Sequence, residues 1–113
     1  MDDHTALAAT ATDYIEGWLE GDPERMARAL HPDLVKRQVL PDGTVSTLTR
    51  DQMVKFTAAG GGRELERGFE IAVLDVYGDV ASVRVLSSAY LDHLQLARLP
   101  EGWRILNALW QAA

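Results

Sequence analysis

Apolar residues recur at helical spacing near the start of the chain. Leu7, Ala11, Tyr14, Ile15 and Trp18 share one side, while Asp13, Glu16 and Glu20 fall off that stripe. This predicts an amphipathic helix over about residues 5–20, ended by Gly21 as a left-handed cap. Asp22 and Pro23 then open a second helix as N-cap and first helical residue. Met26, Ala29 and Leu30 form its apolar stripe, and His31-Pro32 stops it. From there the period changes to two. Residues 34–40 read as a strand, Pro41-Asp42-Gly43 as a turn, and 45–48 as a short returning strand. Thr49 with Gln52 makes a capping box, which predicts a third helix to about residue 59 with Met53, Val54 and Thr57 turned inward. Gly60-Gly61-Gly62 breaks that helix and is expected to be a mobile loop. It does not read as a phosphate loop, because no strand precedes it and no Lys-Ser/Thr helix follows.

Beyond Gly68 the pattern is β throughout. Residues 69–77 and 80–88 are joined by the two-residue turn Gly78-Asp79, and 90–99 and 103–110 flank Pro100-Glu101-Gly102. With no internal repeat and no linker, the prediction is one α+β domain over 1–113. Several strands are apolar on both sides: Leu74 and Val76 alternate with Val73 and Tyr77, and Val83 and Val85 with Leu86. One sheet face is expected to take the helices. The other is expected to take a second copy of the chain, the alternative being a sheet curled strongly on itself.

Composition narrows the function classes. The 113 residues are 47% hydrophobic and 25% charged, which is ordinary for a folded domain and unlike a disordered one. There is no cysteine, so disulfides, thiolate nucleophiles and thiolate metal sites are excluded. Seventeen acidic against eleven basic side chains give a net charge of −6, which disfavours binding to a nucleic-acid backbone. No apolar run approaches the roughly 20 residues of a membrane span. The start Met1-Asp2-Asp3-His4 is acidic rather than basic, so a cytoplasmic location is expected.

Four stretches then bring a family into view: Tyr14-Ile-Glu-Gly-Trp-Leu-Glu-Gly-Asp22, Leu30-His-Pro-Asp-Leu-Val-Lys-Arg37, Val73-Leu-Asp-Val-Tyr-Gly-Asp-Val-Ala81 and Gly102-Trp-Arg-Ile-Leu-Asn-Ala-Leu-Trp110. In order and spacing they resemble the NTF2-like superfamily, also called SnoaL-like or cystatin-like, over residues 6–111. Within it they look most like the subfamily labelled putative lumazine-binding. The resemblance implies an α+β cone, three N-terminal helices packed on a curved, mixed and mainly antiparallel sheet, with a cavity at the open end. It implies no single activity, since this fold hosts isomerases, cyclases, dehydratases, epoxide hydrolases and proteins with no chemistry.

Ketosteroid isomerases share the fold and stabilise an enolate oxygen with a helix-1 tyrosine and a protonated aspartic acid. Residues 14–22 resemble the segment carrying that tyrosine, and Asp92-His93 resembles the dipeptide holding the acid, which points to Tyr14 and Asp92 as catalytic candidates. By strand alternation Asp92 shares a face with Tyr90, Leu94 and Leu96, a setting that raises a carboxyl pKa by desolvation. The alternative is a core tyrosine bridged to a neighbour. The family's base lies on the strand after the second helix. Counted without a gap from Gly21-Asp22, that position is Gln38, an amide that cannot take a proton near neutral pH. Steroid-type isomerisation is therefore not expected, although Gln38 can still hydrogen-bond a ligand.

The remaining candidates are ligand contacts. His31 and Asp33 flank Pro32 near the implied cavity mouth; otherwise Asp33 caps a turn and His31 packs at a helix end. Asn107 alternates with Trp103, Ile105 and Leu109, the set assigned to the concave face, where a buried amide must find partners. Trp18, Met53 and Trp103 supply apolar wall, or plain core. His93 has the opposite parity to Asp92 and belongs to the expected dimer face. Lys36-Arg37 is a lone basic pair on opposite strand faces, suited to a local salt bridge or to an anionic ligand group. Three histidines at 4, 31 and 93 show no metal-ligand spacing, so no metal or cofactor is expected. The leading expectation is a homodimer that binds a small, mostly apolar or aromatic molecule. The second is a cofactor-independent cyclase, dehydratase or isomerase using Asp92 as acid or base and Tyr14 as oxyanion donor. A structural or adaptor dimer is the third.

Overall fold

In the computed structural model, which describes residues 2–113, three helices lie against a six-stranded mixed sheet. Helix α1 spans Asp3–Glu20; the Asp2 carboxylate accepts from the Thr5 N–H at its start, and Gly21 closes it at φ 65°. Asp22 caps α2, Pro23–Ala29, by accepting from the N–H groups of Glu24 and Arg25. Asp13, Glu16 and Glu20 do more than face water: Arg25 reaches all three and Arg28 also grips Asp13, so these ion pairs tie α2 to α1. Burial pulls the Asp13 carboxyl up, but hydrogen bonds from Arg28 and Arg25 outweigh it and hold Asp13 below the usual carboxylate range.

Strand β1, Leu30–Val39, leaves α2 directly and takes Pro32 into its first turns, four residues earlier than the sequence predicts. It pairs antiparallel with β2, Val45–Thr49, whose last residue caps α3, Arg50–Ala58, through the predicted Thr49–Gln52 box. Then follow β3, Phe69–Tyr77, β4, Val80–Ser87, β5, Tyr90–Leu99, and β6, Gly102–Ala112. The strand order is β2-β1-β6-β5-β4-β3, with β1 and β6 paired in parallel. Expected and observed architecture agree: three helices on a mixed, mainly antiparallel sheet.

One sheet face carries the core. Leu7, Ile15, Met26, Met53, Val83, Val85, Leu94, Leu96 and Ile105 are almost fully buried between helices and strands. The opposite face exposes Val39, Leu74, Val80, Leu86 and Leu109 beside Arg84, His93 and Gln95. The triple glycine, expected to be a mobile loop, is docked on the end of α1: the Gly62 N–H donates to the Trp18 carbonyl at 2.8 Å. The space is too tight for side chains there. A Cβ at Gly61 (φ +53°) would sit 2.5 Å from the Trp18 carbonyl oxygen, and one at Gly62 would sit 2.7 Å from Trp18 Nε1.

Two bulges matter for the site. Gln95 pairs with Asn107 but Leu96 pairs with Ile105, so Leu106 is an extra residue in β6. A second irregularity between Val73 and Asp75 leaves Leu74 as the extra residue of β3. Because alternation has period two, the Leu106 bulge exchanges the faces of everything after it. Trp103 and Ile105 point to the helices before the bulge; Ala108 and Trp110 do so after it, while Asn107 and Leu109 are exposed on the other side.

Candidate functional site

Near the free end of the β5–β6 hairpin, opposite its turn, the helices and sheet part to leave a cavity of about 80 Å³. Its polar floor comes from three elements. Tyr14 stands on the buried stripe of α1, Asp92 on the inner face of β5, and Lys36 on the inner face of β1. Lys36 lies across β6 from Leu94, both pairing with Ala108, whose small side chain leaves room for the lysine stem. The Tyr14 hydroxyl donates to Asp92 Oδ1 at 2.8 Å and accepts from Lys36 Nζ at 2.6 Å; Nζ lies 3.8 Å from Asp92 Oδ1. Nζ also sits 5.1 Å from the Tyr14 ring centroid and 5.3 Å from that of Trp110, in cation–π contact with both.

The side chains of Asp92 and Lys36 are only 3% and 12% exposed, so both charges are nearly desolvated. Burial raises the Asp92 pKa, with Lys36 and the Tyr14 hydrogen bond acting against it. Burial lowers that of Lys36, opposed by Asp92. Tyr14 is raised well above its ordinary value, by burial first and then by the Asp92 charge. In each case desolvation is the largest cause, so the floor favours neutral groups or a tight ion pair over any isolated charge.

The walls are apolar. Tyr90 meets Trp110 edge-on at 5.3 Å between centroids and Trp18 at 6.5 Å, giving an aromatic row. Ile15, Leu48 and Met53 complete the sides, and half-exposed Phe56 stands at the rim. Trp18 Nε1 is buried without a hydrogen-bond partner, against the Gly62 backbone.

Of the residues singled out in the sequence, Tyr14, Asp92, Trp18, Met53 and Lys36 meet in this cavity. The others lie elsewhere. Asn107 does not line the concave face; the Leu106 bulge turns it outward, where its amide donates to Gln95 Oε1 at 3.3 Å. Trp103 sits at the far end of the same hairpin, paired with Arg98, whose guanidinium stacks on its ring at 5.2 Å; its carbonyl accepts from the buried Thr10 hydroxyl. It is core. His31 accepts from the Asp33 N–H through Nδ1 at 3.0 Å, a local turn at the start of β1 away from the cavity. Gln38 lies on the face of Lys36 but one pair farther along, between Ser46 and Trp110, and does not line the cavity. The residue most underweighted in sequence is Lys36. Its parity opposite Arg37 is legible there; that it is Lys36 that faces in depends on how β1 packs.

The geometry also redistributes roles. The single proton of Tyr14 goes to Asp92, so Tyr14 has none to offer a ligand while that bond stands. Lys36 is the donor with protons to spare, and among the described residues Asp92 Oδ2 has no hydrogen-bond partner, since Tyr14 and Lys36 both approach Oδ1. Among the described residues no cluster suited to a metal ion occurs, and no helix is long and apolar enough to cross a membrane.

A family model described as "Putative lumazine-binding" matches residues 2–111. Among solved structures, an NTF2-like protein of unknown function from Silicibacter pomeroyi DSS-3 superposes with a TM-score of 0.82 at 19% identity, covering 97% of this chain and 95% of that one. An NTF2-like protein of unknown function from Methylobacillus flagellatus KT gives 0.79 at 19% identity, with 100% and 94% covered. A ketosteroid isomerase-like protein from Erwinia carotovora atroseptica SCRI1043 gives 0.71 at 17% identity, with 99% and 98% covered. At such identities the likeness establishes the fold, which is NTF2-like, and nothing further. No curated protein matches the chain.

Proposed function

Starting from a chain that belongs to the Putative lumazine-binding family, we propose that the protein is a homodimer that binds one small, mostly apolar or aromatic molecule in the cavity above Tyr14, Lys36 and Asp92. The observation that carries this reading is the enclosure itself: an aromatic-walled cavity with three polar groups converging on its floor, the usual design of a ligand site. The family description supports a small-molecule ligand. Size limits which one. At about 80 Å³ the cavity is smaller than the ~150 Å³ engineered cavity that takes benzene. A fragment of a few heavy atoms fits as it stands. The homodimer is supported by the exposed aliphatic residues of the outer sheet face, Leu74, Val80, Leu86 and Leu109.

A second reading, a cofactor-independent enzyme of the cyclase, dehydratase or isomerase type, is favoured by one observation, the desolvated Asp92 carboxyl beside Tyr14. The hydrogen-bond directions then assign the oxyanion donor to Lys36 rather than Tyr14. Fluorescence from Trp18 and Trp110, recorded against short alcohols and single-ring aromatics, tests the binding reading. Saturable changes that are lost in Trp18→Ala support it; a flat response to every probe, with no rise in unfolding temperature, rejects it. Sedimentation of the native chain and of Leu109→Asp tests the dimer, which the substitution should dissociate.

A further inference from the structure

The chain contains only two lysines. Lys55 is exposed on α3, whereas Lys36 ends inside the cavity. An apolar ligand alone gives no reason to keep an amine there, since burying it costs solvation that Asp92 only partly returns. We propose that Lys36 condenses with the carbonyl group of a small aldehyde to form an imine. This rests on the binding reading above and sharpens it to a substrate class.

The geometry supplies what the reaction needs. Among the described residues, the titratable groups facing Lys36 are Tyr14, Tyr90 and Asp92, and no second cation lines the cavity. The amine is thus held by one hydroxyl at 2.6 Å and one carboxylate oxygen at 3.8 Å. Condensation needs the neutral amine, which burial favours and Asp92 opposes. When that amine attacks, its lone pair forms the C–N bond and the carbonyl π pair moves to oxygen. The nitrogen proton passes to Tyr14 as Tyr14 gives its own to Asp92, and a proton returns to the oxygen, giving a carbinolamine. The nitrogen lone pair then forms the C=N bond as the hydroxyl leaves as water with a proton from the same pair, and the remaining N–H proton of the iminium returns to that pair. Aldehyde and amine thus become imine and water, with no oxidant or reductant required. The aromatic walls of Trp18, Tyr90 and Trp110 limit water in the cavity, which favours the dehydrated product. The volume of about 80 Å³ selects aldehydes of a few carbons.

The test uses butanal and sodium cyanoborohydride near neutral pH, with peptide mapping by mass spectrometry. One butyl group should appear on Lys36 several-fold faster than on Lys55, because burial lowers the Lys36 amine pKa and raises its neutral fraction. That ratio should shrink as pH rises toward the ordinary lysine value of about 10.4. The label should vanish in Lys36→Met and slow in Tyr14→Phe, while 1-butanol, which occupies the cavity but cannot condense, should slow it competitively. If 1-butanol binds and Lys36 is labelled no faster than Lys55, the imine proposal is overturned and the binding reading stands. If neither binding nor preferential labelling is seen, both are overturned. The wild-type map decides even if Lys36→Met does not fold.

Discussion

The two faces of the β5–β6 hairpin hold the same kinds of residue in opposite circumstances. On the inner face, Asp92 is 2% exposed, bonded to Tyr14 and beside Lys36, with Leu94 and Leu96 sealed beyond it. One residue along, His93 stands exposed on the outer face with Gln95, Asn107 and Leu109. Neighbours in sequence are therefore one buried and one exposed. Polarity alone does not mark a site in this fold; strand parity does, together with the bulges that change it.

That contrast breaks most visibly where a buried charge is orphaned. Asp92→Ala should cost about 3–5 kcal/mol in urea unfolding, because it leaves Lys36 buried without its counter-charge. His93→Ala should stay within roughly 0.5 kcal/mol in the same assay. Comparable losses for the two would mean that the faces are not distinct. Truncation of apolar groups gives the next largest effect. Ile105→Ala, before the bulge and fully buried, should lose about 2–5 kcal/mol. Leu109→Ala, half exposed after the bulge, should lose under about 1 kcal/mol when measured on monomer.

How much of this is legible in the sequence depends on distance along the chain. Caps are local, so Asp22-Pro23, Gly21 and the Thr49–Gln52 box are readable from a few residues, and the helices follow. The inner placement of Asp92 is also readable, since β5 alternates without interruption from Tyr90 to Leu96. Asn107 is not. One unpaired residue, Leu106, reverses the alternation, and nothing in Gly102-Trp-Arg-Ile-Leu-Asn signals it. The docking of Gly61 and Gly62 on Trp18 joins residues more than forty apart, so the glycines alone read as a loose loop. The inward turn of Lys36 is likewise a property of the β1–β6 pairing, not of the Lys36-Arg37 dipeptide.

A smaller effect sharpens the comparison through pH. A carboxyl whose pKa is raised by folding holds its proton longer when folded. The stability associated with Asp92 is therefore full below the ordinary value of about 4 and falls as pH rises through the folded pKa. Asp92→Asn should remove that downward slope from a plot of unfolding free energy against pH. Asp13, lowered by its arginines despite partial burial, acts in the opposite sense: its contribution is present above about 4 and is lost as pH falls through the folded pKa. A modest effect is expected at that α1–α2 clasp, where Asp13→Asn should cost about 0.5–1 kcal/mol and less in high salt, as partly exposed ion pairs do.

Lys36, Tyr14 and Asp92 form one desolvated unit facing the cavity. Side-chain NMR titration tests it most directly, reading Lys36 Cε and the Asp92 carboxyl carbon in the native protein. The Asp92 midpoint should lie above the usual carboxylate value of about 4 and the Lys36 midpoint below the usual lysine value of about 10.4, both moving in Tyr14→Phe. Ordinary midpoints for both groups, unmoved by Tyr14→Phe, would contradict it.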